Sequence, residues 1–179
     1  MKATGIVRRV DDLGRVVIPK EIRRVLRIKE GDPLEIFTDR EGGVIFRKYS
    51  PMAGITDFAE QICGAIKNTT GYEAVVTDQD TVIAAPSPKT RELKDKPISS
   101  ELYRIMLQRK GYRVRNTDSL IGVAEDSDRH HVGVVAPIVV QGDSMGCVVI
   151  LLDGRKIFAD ADQKLAETMA SFLSKQMDF

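Results

Sequence analysis

The first 50 residues alternate short apolar runs with turn signals so closely that no run can fold by itself. Ile6, Val7 and Val10 make the first run, which opens a predicted strand over residues 3–10. Asp11-Asp12-Leu13-Gly14 reads as a turn, and Arg15-Val16-Val17-Ile18 as a second strand. Pro19 suits the first turn of a helix, where its fixed φ is ready-made and its missing N–H is not needed. Lys20 to Leu26 supplies that helix, with Ile22, Val25 and Leu26 on one face. It spans about two turns, too few to persist alone in water. After the break at Lys29-Glu30-Gly31-Asp32-Pro33, Leu34-Glu35-Ile36-Phe37 and Val44-Ile45-Phe46 read as two strands around a turn at residues 39–43. A ββαββ unit of this size hides too little surface to make a good core. It predicts an obligate dimer in which two copies complete one core.

Charge crowds into the same segment. Residues 1–29 hold 9 Lys/Arg against 3 Asp/Glu, a net of +6. Residues 1–50 hold 12 against 8, and residues 51–179 hold 15 against 18. The overall +1 therefore averages a basic head and a slightly acidic body. Such asymmetry points to a polyanionic partner for the head.

The run from Thr4 through Arg8-Arg9, Gly14-Arg15 and Ile18-Pro19-Lys20-Glu21-Ile22-Arg23-Arg24 to Leu26 resembles the N-terminal DNA-binding domain of AbrB-type transition-state regulators. The likeness continues through Asp32-Pro33-Leu34-Glu35-Ile36 to Arg47-Lys48-Tyr49. It implies an α+β fold that begins with a swapped-hairpin β-barrel, an intertwined dimer, in agreement with the size argument. It also places Arg8, Arg15, Arg23 and Arg24 on the family's DNA-contacting arginine positions, with Arg9 in a basic position beside them. Lys2, Lys20 and Arg27 are expected as flanking phosphate contacts. Asp11 and Asp12 are expected to hold the turn and orient nearby arginines rather than to touch DNA. A merely solvated basic face is the competing account, and four matched positions within a +6 segment weigh against it. No helix-turn-helix is visible, so double-stranded DNA would be read partly by shape, which suits AT-rich or bendable promoter regions.

Tyr49-Ser50-Pro51 reads as a joint, with a first domain over residues 1–50, a joint at 51–55 and a second domain over 56–179. From Met52 to residue 70 a helix carries Ile55, Phe58, Ala59, Ile62 and Ile66 at helical spacing, and Gly71 stops it. Residues 74–77 and 82–85 read as a hairpin, 86–98 as a loop, and Ser99-Ser100 as the cap of a helix reaching Lys110. Residues 112–131 are charged and without a clear element. Val132 to Val140 and Cys147 to Leu152 read as strands around a six-residue turn, Gln141 to Gly146. Asp160 and Gln163 form a capping box for a last helix over 160–177 with Leu165, Met169, Phe172 and Leu173 on one face.

The pattern Val135-Ala136-Pro137-Ile138, Gly142, Gly146-Cys147-Val148-Val149 resembles the last hairpin of GAF domains. That resemblance implies an antiparallel sheet flanked by helices. AbrB-type sporulation regulators join such a domain to the head, and that layout covers nearly all of this chain. It implies a transcription regulator, activator and repressor, of late sporulation genes in a spore-forming bacterium. Phe58, Ile62, Leu165, Met169 and Phe172 stand either in the core or at a contact that pairs dimers into a tetramer. A GAF-like domain can hold a small ligand, stand empty or serve only as an oligomer contact. A ligand, which the sequence does not identify, would sit between the sheet and loops 86–98 and 112–131, and no cofactor is expected. Tyr72, Arg91, Tyr103 and Arg113 are candidate lining residues there, with ordinary surface placement as the competing account.

Nothing in the sequence asks for catalysis or metal. His130 and His131, adjacent on a strand, would face opposite ways and chelate poorly. Cys63 and Cys147 lie in apolar contexts and read as buried reduced thiols rather than a disulfide. No nucleophile elbow is present. With no signal-peptide pattern and no membrane-length apolar run, the chain is expected in the cytoplasm on the nucleoid, with no membrane partner. The rival reading is an antitoxin of the same N-terminal fold that binds a protein toxin. Antitoxins of that kind carry a disordered acidic tail, whereas this chain continues into capped helices and apolar strands.

Overall fold

The computed structural model describes residues 5–115, 120–154 and 157–177. The chain divides into two units, Met1–Tyr49 and Ser50–Phe179.

In the first unit, helix α1 is Lys20–Val25, followed by strands β1, Leu34–Thr38, and β2, Val44–Lys48. The two strands pair antiparallel from Leu34 opposite Lys48 to Thr38 opposite Val44. Asp39 closes their turn by accepting N–H bonds from Glu41 at 3.0 Å and Gly43 at 2.6 Å. The two strands expected ahead of α1 differ from expectation. Residues 5–10 and 15–19 join no ladder in the single chain, although the turn between them is closed. Their apolar side chains face outward, Val7 at 86% and Val17 at 71% exposure, and no residue of α1 is buried. One copy of this unit has no second apolar layer to set against them, which is the shortage that its size implies.

The second unit opens with a 3₁₀ turn, Pro51–Ile55, and helix α2, Thr56–Thr70. Gly71 ends α2 in the left-handed region, φ +76°, where a side chain would be strained. Strands β3, Ala74–Asp78, and β4, Val82–Ala84, form a hairpin; helix α3 is Ser100–Leu107. Strand β5, Tyr112–Arg113, precedes the long pair β6, His131–Val140, and β7, Asp143–Leu152, and helix α4 is Asp160–Met177. The antiparallel sheet runs β4-β3-β7-β6-β5.

Alternate residues of the central strands serve two apolar layers, as a period of two requires. Val76, Val134, Ala136, Val148 and Ile150 pack with α2 and α4 through Ala59, Ile62, Ile66, Ala166, Ala170 and Leu173. Val75, Val135, Cys147, Val149 and Leu151 face the other way, against Leu93, Ile98, Leu102, Met106 and Val123. Met52 and Ile55 of the 3₁₀ turn belong to the first layer.

Several boundaries depart from the sequence reading. The last hairpin turns on only Gln141 and Gly142, at φ +49° and +90°, so Asp143 to Gly146 continue the ladder. Two positive φ values in succession define the turn whose twist matches that of the strands. Ser99 caps α3 as expected, its Oγ accepting the Leu102 N–H at 3.0 Å, but the helix stops at Leu107 rather than Lys110. At α4 the cap is not the Asp160–Gln163 box: Asp162 Oδ2 accepts the Ala159 N–H at 2.7 Å. Asp160 instead pairs with Arg113 at 2.6 Å. Both cysteines are free and buried, and burial pushes each thiol up to about 12.

Gly146 lies where β7 crosses β3, opposite Asp78, with the Thr77 carbonyl against its α-carbon. A Cβ there would collide with that backbone oxygen, which has no flexible end to move aside. Gly146→Ala is expected to lower stability by about 1–3 kcal/mol, read as a lower urea midpoint with an unchanged slope.

Candidate nucleic-acid interface

The cations of the head fall into two groups, one at a turn and one on a helix. Arg8 and Arg9 precede the first turn and are exposed. The turn is locked by one carboxylate. Asp11 Oδ1 accepts N–H bonds from Leu13 at 3.0 Å and Arg15 at 2.8 Å, while Oδ2 takes the Arg15 guanidinium Nε–H at 2.8 Å. The Asp11 N–H also donates to the Arg15 carbonyl at 3.0 Å. The Arg15 backbone N–H, then its side chain, holds the Asp11 carboxyl below its ordinary value. Asp11 thus does what the sequence suggested, fixing both the turn and the direction of Arg15.

The second group stands on α1. Lys20 and Arg24 are exposed and one turn apart, so they share a face, while Arg23 is half-buried. The helix is too short to hold itself, and its end is set by Arg27 at φ +52°, half-buried in the left-handed region. The Ile28 N–H then bonds back to the Arg23 carbonyl at 2.7 Å. Lys2 lies outside the described residues.

Sequence reasoning passed over two further cations. Arg47 stacks its guanidinium 5.0 Å above the Phe37 ring, across the β1–β2 pair. Lys48 is bound to Asp32 at 3.5 Å, both about four-fifths buried, so it ties the chain after α1 to β2. Neither contact leaves a signal in local spacing, because the partners are 10 and 16 positions apart.

In the second unit the five interface candidates separate. Ile62 is buried within the α2–α4 layer. Leu165 and Met169 are half-buried. Phe58 and Phe172 are 40% and 45% exposed and meet edge to face, ring centres 6.5 Å apart, bridging α2 and α4. The four candidate ligand residues do not converge. Tyr72 packs on the Phe158 ring at 5.4 Å, Arg113 holds Asp160, Arg91 is exposed, and Tyr103 borders the opposite layer. On that side of the sheet Leu93, Ile98, Leu102, Met106 and Val123 form a buried layer beneath the described parts of the two loops. Its covering loops are stitched together by Ser99 Oγ to the Gly122 carbonyl at 2.6 Å and by His130 to Glu92 at 2.7 Å. Among the described residues no group of His, Cys, Asp and Glu could hold a metal ion. No described helix is long and apolar enough to cross a membrane.

A basic head ahead of a five-stranded α+β domain fits an AbrB-type regulator with a GAF-like body. Residues 54–178 match the family described as stage V sporulation protein T C-terminal, transcription factor. Residues 7–53 match the MazE family, described as antidote-toxin recognition and bacterial antitoxin. Stage V sporulation protein T of Bacillus subtilis is 46% identical over 181 residues, covering 99% of both chains. The transition state regulatory protein AbrB of the same species is 63% identical over 51 residues, 28% of this chain and 52% of its own length. The GAF domain of an Acinetobacter phosphoenolpyruvate-protein phosphotransferase shares the fold of the second unit at TM-score 0.56 and 10% identity, covering 73% of this chain and 83% of that one. The chain belongs to the stage V sporulation protein T family of transcription factors.

The Asp11 lock has a definite pH dependence. A carboxyl held below its ordinary value is fully engaged above that value and lets go only as pH falls through the lowered one. Protection of the Leu13 and Arg15 amides, relative to their intrinsic exchange at each pH, is therefore expected to persist to below the usual carboxylate range and then be lost. In Asp11→Ala that protection should be absent at every pH.

Proposed function

We propose that the chain is a DNA-binding transcription regulator of sporulation genes, activating some and repressing others, in which two copies of the head clasp double-stranded DNA. The reading rests most on the 46% identity along the whole chain together with the +6 charge of residues 1–29. Arg8, Arg9, Arg15, Arg23 and Arg24 carry the contacts, and Lys2, Lys20 and Arg27 flank them on phosphates. Arginine suits both tasks, being permanently charged and able to donate as a fork. Neutralised phosphates supply affinity, and base contacts with DNA shape supply preference, so an AT-rich promoter is the expected target.

The exposed apolar faces of the head support an intertwined dimer that buries Val7, Val17, Val25 and Leu26 between copies. The exposed Phe58–Phe172 pair supports a second contact that joins two dimers through α2 and α4. The GAF-like unit then sets the oligomeric state and carries a small-ligand signal. The protein acts on nucleoid DNA in the cytoplasm.

Fluorescence anisotropy on an AT-rich promoter fragment tests the reading. Log K should fall steeply with log salt, about 0.9 per phosphate neutralised. Arg23→Ala with Arg24→Ala should weaken binding by at least about tenfold (~1.4 kcal/mol) while the dimer persists in light scattering. Affinity within twofold of wild type would remove those two residues from the interface. No binding at low salt would overturn the regulator reading and favour a protein toxin as the partner of the head. Separately, Phe172→Asp should convert a tetramer to a dimer in light scattering, since an unpaired charge is costly in an apolar contact.

A further inference from the structure

A cavity of about 340 Å³ lies between α4, the end of β6 and the chain joining α3 to β5. It is on the α4 side of the sheet, away from the packed layer under loops 86–98 and 120–131. Pro137, Val139 and Ala170 give it an apolar wall. Arg109, Glu167, Ser171 and Ser174 give it a polar one. It is an open cleft, more polar than apolar in its lining, with a volume at the small end of the range for ligand sites.

Arg109 and Glu167 bring opposite charges to this cleft, each from a position that the fold also uses. Arg109 follows the end of α3 at φ +57°, the position and conformation in which a helix ordinarily places glycine. An arginine there strains the backbone, and its guanidinium gains only a 3.4 Å contact with Asp143 in return, both groups more than half exposed. Glu167 is half-buried and lies against the chain that joins α3 to β5. Gln163 Nε2 donates to its Oε1 at 2.8 Å, and the carboxylate lies so close to Gly111 that any Cβ there would collide with it. Ser174 is fixed as well, its Oγ donating to the Val139 carbonyl at 2.6 Å on a part of β6 that β5 does not reach.

We propose that this cavity binds a free α-amino acid. The ligand carboxylate takes the Arg109 guanidinium, displacing the long contact to Asp143. The ammonium group takes Glu167 and the Ser171 hydroxyl, and the side chain lies on Pro137, Val139 and Ala170. A cation and an anion on one small cavity match a zwitterion better than a simple acid or amine, either of which would leave one wall unanswered. Glu167 and Ser171 also border the cleft that contains Phe172, so occupancy reaches the helix proposed to join dimers. The inference deepens the reading of the second unit as the sensing part and is independent of the DNA contacts.

The test is calorimetric titration of the full-length protein with each of the standard L-amino acids. At least one should bind saturably, and its N-acetyl and carboxamide analogues should bind about tenfold or more weakly. Arg109→Gly removes the guanidinium and relieves the backbone. It should lose the amino acid by the same factor with no fall in melting temperature and unchanged DNA anisotropy. Glu167→Gln should lose it too. No binding of any amino acid up to ~10 mM, about −2.7 kcal/mol, would overturn the proposal. So would binding that both variants retain. Because DNA affinity is read separately, either failure leaves the regulator reading standing.

Discussion

The pairing of β6 with β7 is the interaction on which the second unit depends. The two strands are matched from His131 opposite Leu152 to Val140 opposite Asp143 and are apolar on both faces. A strand pair of that kind cannot stand in water on either side, so it demands two covers. α2 and α4 supply one, and α3 with the loops around Leu93 and Val123 supplies the other. β3 is admitted to the sheet by the same rule, since Val75 and Val76 divide between the covers. The tight approach at Gly146 records how closely the third strand is drawn in.

The head obeys the opposite economy. Its apolar residues are too few and too dispersed to cover one another, so Val7, Val17, Val25 and Leu26 remain exposed in one chain. Its local structure is fixed instead by polar devices: Asp39 on the β1–β2 turn, Asp11 on the turn before Arg15, and Lys48 on Asp32. Each device sets the direction of backbone or cation without requiring a core. Rigid turns with undersupplied apolar faces suit a unit that finishes its fold against a second copy of itself.

Much of this was legible in the sequence, and what was not has physical causes. Helical spacing found α2 and α4, and Gly71 marked the end of the first. The basic head and the resemblance to AbrB-type regulators were plain because they rest on contiguous residues. The strands ahead of α1 were read from β-branched runs, but a strand is defined by its partner, and one chain offers none. The final turn was read too long because Asp143, Ser144 and Gly146 look like loop residues, although a two-residue turn lets them pair. The burial of Leu93, Ile98 and Val123 under charged loops was hidden, because single apolar residues in such stretches carry no periodicity. The Arg109–Glu167 cavity depends on positions 58 apart and had no local signal.

The span between β3 and β7 also sets an order of assembly. Ala74 pairs with Ile150, and Asp78 with Gly146, so the sheet cannot close until nearly the whole chain exists. α2 likewise has its apolar partners in β7 and α4. During synthesis from the N-terminus, the head is complete while the body still lacks the strand that organises it. Two heads emerging from neighbouring ribosomes on one message can therefore interlock before either body has folded. If the head pairs as proposed, partner choice would then be made between nascent chains of the same transcript, and each body would mature on an already dimeric base.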